Sequence, residues 1–91
     1  MRLMIVLDWS GSDLEDFGEK FASGDDVNPE KGKVVTRWHS PASKMSWVVA
    51  DVPDAVAVQD WLAPWNDEVD AEIHPVLDDK EFDALLDKHV D

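Results

Sequence analysis

The chain contains no cysteine. No disulfide can brace it, and no thiolate can hold a metal. No apolar run approaches the ~18–20 residues of a membrane span. The N-terminal run, residues 3–7, is too short for a secretory signal and lacks a small-residue cleavage site, so a cytoplasmic location is expected. Basic residues are scarce: 8 Lys and Arg stand against 21 Asp and Glu, a net charge of −13 over 91 residues. Such a surface repels phosphate backbones and anionic lipid, which argues against nucleic-acid and membrane partners. There is no glycine-rich phosphate loop, no GxSxG and no HxH or HExxH spacing. The sequence therefore gives no ground for a cofactor or a metal site, although His39, His74, Asp70 and Glu72 include potential ligands.

What is present is acid, unevenly placed, and tryptophan. Residues 1–50 carry 8 acids and 6 bases, and residues 51–91 carry 13 acids and 2 bases. A charge run of this kind reads first as a solvated face and second as a docking surface for a basic partner. Five tryptophans, Trp9, Trp38, Trp47, Trp61 and Trp65, offer roughly 150–250 Å² of buried area each. For a single domain over residues 1–91 they supply much of a small core.

Residues 3–8 read as a buried strand. Ser12 and Glu15 have capping-box spacing, and Leu14, Phe17 and Phe21 follow at helical spacing up to Gly24. Asn28-Pro29 and Gly32 mark a polar loop. Residues 33–52 form the centre of the chain, two strand runs about a turn at 40–43. Pro53 suits the first turn of a second helix, whose apolar face is Val58, Trp61 and Leu62 and which Pro64 ends. Residues 68–74 alternate as a fourth strand. Asp78 and Glu81 then cap a last helix, with Phe82, Leu85 and Leu86 expected to face inward.

This order is the ferredoxin-like β-α-β-β-α-β plan: an α+β fold with a four-stranded antiparallel sheet, plus a C-terminal helix. One sheet face lies under helices and the other is bare. Strand parity puts Leu3, Ile5, Leu7, Val34, Thr36, Trp38, Met45, Trp47 and Val49 under the helices. It puts Arg37, His39, Ser46, Val48, Glu72 and His74 on the bare face. A bare face with open edges calls for cover, and a homodimer provides it. The space enclosed is then a small-molecule pocket with a few convergent polar groups.

His39 is the candidate catalytic residue, a general acid or base with an ordinary pKa near neutrality; its plainer reading, which comes first, is a hydrogen-bonded residue at a strand end or subunit interface. Arg37, Trp65 and His74 are the candidate ligand contacts. Arg37 suits a carboxylate, though in so acidic a chain an ion pair with Glu72 competes. Trp65 lies just past a helix stop, the position of a pocket wall, whereas Trp61 at helical spacing reads as core.

Arg37-Trp38-His39, Trp61-Leu62-Ala63-Pro64-Trp65 and Ile73-His74-Pro75-Val76-Leu77-Asp78-Asp79 together resemble the family known as domain of unknown function 3303. The resemblance spans nearly the whole chain. It implies membership of the dimeric α/β-barrel superfamily, whose members include cofactor-independent monooxygenases. A homodimeric small-molecule-binding barrel follows as an expectation, with oxygenase- or isomerase-type chemistry at His39 as its enzymatic form. The alternative is a non-catalytic assembly protein that dimerises through its sheet and meets partners through its acidic half. Fold alone licenses no mechanism.

Overall fold

A computed structural model describes residues 1–24 and 26–90. Strand β1 (Arg2–Asp8) leads into helix α1 (Leu14–Ala22), then strands β2 (Lys33–Ser40) and β3 (Met45–Asp51). Helix α2 (Ala55–Leu62) runs into a short 3₁₀ turn (Ala63–Trp65), followed by strand β4 (Asp70–Pro75) and helix α3 (Asp79–His89). The fold is α+β: an open four-stranded sheet in the order β2-β3-β1-β4, every neighbouring pair antiparallel. The edges are β2 and β4. Among the described residues no helix is long and apolar enough to cross a membrane.

Helix starts follow from local hydrogen bonding, with one shift from expectation. The N-cap of α1 is Asp13, not Ser12; its carboxylate accepts from the Asp16 amide at 2.7 Å. A carboxylate there satisfies an orphan N–H and also meets the positive end of the helix dipole. Asp54 caps α2 by accepting from Ala57 at 2.9 Å, so Pro53 precedes the cap instead of opening the helix. At α3 the capping box of Asp78 and Glu81 is complete.

Two apolar clusters form the core on one side of the sheet. Leu3, Ile5, Val48 and Ala50 pack with Val58, Trp61 and Leu62 of α2. Trp9, Phe17, Trp65 and Val69 form the second cluster beneath α1. Full burial of a Val, Leu or Ile side chain contributes about 1.5–3 kcal/mol, so these residues carry much of the fold's stability. Trp9 and Phe17 stack at 4.3 Å with rings 3° apart.

Three expectations about faces fail. In β3 it is Ser46, Val48 and Ala50 that are buried, while Met45, Trp47 and Val49 lie on the bare side. Both parities of β3 are apolar enough to be buried. The small side chains of Ser46 and Ala50 leave room for the aromatic residues packed above them, and that decides the face. In β2 a register shift between Val34 and Thr36 reverses the parity. Such a bulge moves every later side chain to the other face. Arg37 and His39 therefore share a face with Val48 and Ser46, on the helix side, where Arg37 is half-buried and His39 stays exposed near the strand end, and Trp38 stands 69% exposed on the bare side. Finally, α3 buries no residue: Phe82, Leu85 and Leu86, expected to face inward, are exposed.

Candidate functional site

Ser46 is the anchor of the site. It is fully buried, opposite Leu7 on one side and His39 on the other. Trp9, just past the end of β1, donates its indole N–H to Ser46 Oγ at 3.2 Å. The same oxygen lies 2.7 Å from Nδ1 of His39. An indole N–H can only donate, so it fills an acceptor position on Oγ. Oγ keeps a second acceptor position, so Nδ1 either takes the Ser46 proton or donates to Oγ; we assign the first, because Nδ1 is the one acceptor found for the buried hydroxyl among the described residues, and His39 then carries its proton on Nε2. Burial, and then the nearby Arg37 charge, holds its pKa below the ordinary value, so the ring is neutral at pH 7. Ser46 itself is no nucleophile: no substrate reaches a side chain with 0% exposure.

Arg37 is the second polar group. Its guanidinium lies 5.3 Å from the centre of the Phe21 ring, and Phe21 also meets His39 edge-on at 5.0 Å. Nη2 donates to the Val27 carbonyl at 2.6 Å and to Asn28 Oδ1 at 3.2 Å. Burial weakens its hold on its proton, but a guanidinium stays charged at any pH of interest. The expected ion pair with Glu72 does not form. Glu72 sits opposite Val6 on the bare face, with two strands between it and β2, and its neighbour is His74. Among the described residues no carboxylate pairs with Arg37. In a chain so rich in acid, that is a selective arrangement.

The walls are aromatic and held in place. The Asp26 carbonyl accepts from the indole N–H of Trp61 at 3.1 Å and of Trp65 at 3.0 Å, tying the loop before β2 to the end of α2. Lys20 of α1 stands 4.9 Å from the Trp65 ring, donates to the Pro64 carbonyl and pairs with Glu68 at 2.9 Å. Together with Leu7, Phe17, Phe21, Val27 and Leu62, these groups enclose a cavity of about 30 Å³. That holds one or two waters. A wider hollow of about 400 Å³ on the α2 side of the same loop is ringed by Asp26, Glu30, Asp54 and Asp60 against one base, Lys31. None of the candidate residues lines it.

Three of the four residues singled out from sequence thus meet. Arg37, His39 and Trp65 line one cavity, on the helix side of the sheet instead of the bare side. His74 does not join them; it is exposed on β4, with Nε2 3.4 Å from Glu72. Sequence reasoning missed Ser46 and Trp9, which orient His39, and Phe21, which both Arg37 and His39 touch. The available signal was a serine within an apolar strand, a polar group that must find a partner if buried. Among the described residues no group of three or more His, Asp or Glu side chains is arranged to hold a metal ion.

No curated protein and no solved structure shows significant similarity to the chain. A family model does match, over residues 1–90, and its description is a domain of unknown function. With nearly the whole chain covered, the protein belongs to the DUF3303 family.

Proposed function

We propose that the chain is a homodimeric small-molecule-binding protein of ferredoxin-like topology, and that its ligand is a small organic anion received between Arg37 and His39. The observation that carries this reading is the convergence of a cation with no carboxylate partner among the described residues and a neutral imidazole on one aromatic-walled cavity. Two donors, with Asp26 of the wall turning its backbone carbonyl to the indoles of Trp61 and Trp65, suit a carboxylate or an enolate. The strand order β2-β3-β1-β4 supports the topology.

A ligand larger than a water or two must displace the wall formed by Asp26 and Val27, and Arg37 then exchanges the Val27 carbonyl for the anion. In the enzymatic form of this reading, cofactor-independent chemistry of the oxygenase or isomerase type, Arg37 stabilises developing negative charge. His39 Nε2–H donates to the reacting oxygen, and the indole and phenyl walls exclude water. Of the two roles expected from sequence this keeps the acid, because the nitrogen left for a ligand is a donor and not a base. The dimer is a matter of the bare face, separate from the cavity.

The assembly reading also has an observation in its favour: Trp38, 69% exposed at the edge of the bare face, needs cover more than any other side chain there. Native mass spectrometry of the freshly purified protein separates the two. Binding predicts a small-molecule adduct that Arg37→Gln loses and His74→Ala keeps. A protein that carries no adduct and ignores benzoate at millimolar concentration leaves only assembly.

A further inference from the structure

We infer that the chain pairs by exchanging its C-terminal helix: α3 of one copy lies across the bare sheet face of a second copy, and the second returns the contact. This rests on the homodimer reading above and specifies its interface; it is independent of the cavity.

Two apolar surfaces on the chain lack partners. One is the stripe of α3. Phe82, Leu85 and Leu86, at helical spacing, are 50%, 44% and 38% exposed, and Leu77 just before the helix is 50% exposed. None joins either core cluster. The other is the bare sheet face, whose rows the strand register defines. One row runs Glu72, Val6, Trp47, Trp38 and the next His74, Met4, Val49, Thr36. Trp38 is 69% exposed and Met4 38%. The chain is also drawn out for its size. Its radius of gyration is 15.1 Å and its longest extent 52 Å, where a compact chain of this length has a radius of about 12 Å.

The area fits a second copy. With large apolar side chains offering roughly 150–250 Å² each, the exposed parts of these six residues amount to on the order of 600 Å². A symmetric pair then buries about 1,200 Å², the lower bound of stable interfaces. A two-fold axis satisfies both surfaces at once, because each copy brings one stripe and one face.

Charge chooses the half of the face. The β4 margin presents Asp70, Glu72 and His74; the β2–β3 margin presents Thr36, Trp38, Met45, Trp47 and Val49, and its acid, Asp51 at the end of β3, is paired with Arg2 at 2.8 Å. Helix α3 is acidic on balance, with Glu81, Asp83 and Asp87 off its apolar stripe against Lys80 and Lys88. Over β4 it meets like charge; over β2–β3 the carboxylate of Asp51 is already paired with Arg2, and Lys33 and Lys44 stand at the two ends of that hairpin. The exchanged helix therefore seats on Trp38 and Trp47.

Native mass spectrometry of the full chain tests this with two variants, Trp38→Glu on the face and Leu85→Glu on the helix, each checked for folding by circular dichroism. The exchange predicts a wild-type dimer, a monomer for each variant alone, and a heterodimer when the two are mixed, since the mixture keeps one intact contact of the two. A Leu85→Glu protein that stays dimeric shows sheet packed on sheet and overturns the exchange while leaving the homodimer. A Trp38→Glu protein that stays dimeric shows helix on helix and does the same. A monomeric wild type overturns both.

Discussion

The Ser46 hydroxyl lies 2.7 Å from Nδ1 of His39, and this one contact decides which imidazole nitrogen a ligand can meet. Ser46 is fixed in turn by Trp9, at the far end of β1. A titratable residue is thus oriented by a strand pairing and an indole, both laid down by the core.

Ser46→Ala removes the acceptor of a buried indole N–H. Leaving such a donor unpaired costs about 1–3 kcal/mol. Urea unfolding should show a lower midpoint with an unchanged slope. The loss of the hydroxyl donor to Nδ1 should also raise the His39 pKa, because that hydrogen bond supports the neutral ring.

The pH dependence of stability has a definite sign. The folded pKa of His39 is lowered, by burial first and the Arg37 charge second. Between the folded and unfolded values, the unfolded chain is protonated and the folded chain is not. His39 therefore contributes stability that is whole above the unfolded value near 6.5 and is lost as pH falls through the lowered folded value. Arg37→Gln removes the cation, raises the folded value and flattens this decline. Urea midpoints at several pH values from 7.5 to about 5 measure it, above the range where the lowered carboxylate of Asp51 begins to titrate.

Gly32 precedes β2 at φ 132, and a Cβ there would stand 2.3 Å from the Asp51 carbonyl oxygen. Gly32→Ala therefore meets a forbidden backbone conformation and a backbone clash together. Strain of the first kind alone costs on the order of 1–3 kcal/mol. The variant should be destabilised by at least ~2 kcal/mol in thermal or urea unfolding, with the loss centred on the β2–β3 pairing. A variant as stable as the wild type contradicts this account of the loop.

The element order was legible because each element carries its own signal: the apolar run of β1, the Phe17-Phe21 spacing of α1, the alternation of β4, the Asp78-Glu81 box of α3. The edge positions of β2 and β4 followed from that order. The faces of β1 and β4 were legible too, but those of β2 and β3 were not. In β3 both Val48 and Trp47 sit at parities apolar enough to be buried, and in β2 one bulged residue after Val34 turns Arg37 and His39 to the helices. A bulge leaves no mark in periodicity, since it changes the phase and not the composition. The same one-residue shift explains why Arg37, His39 and Trp65 meet in a cavity within one chain instead of in a space between two. The stripe of α3 was legible as apolar, but an apolar stripe does not say whether its partner lies in the same chain.

The most direct test of the anion site is the imidazole ¹⁵N spectrum of His39 at pH 7, recorded with and without benzoate. The account predicts a neutral ring with its proton on Nε2, perturbed by benzoate in the wild type and unperturbed in Arg37→Gln. A ring protonated on Nδ1, or an imidazolium, or a spectrum that benzoate leaves unchanged in the wild type, contradicts it.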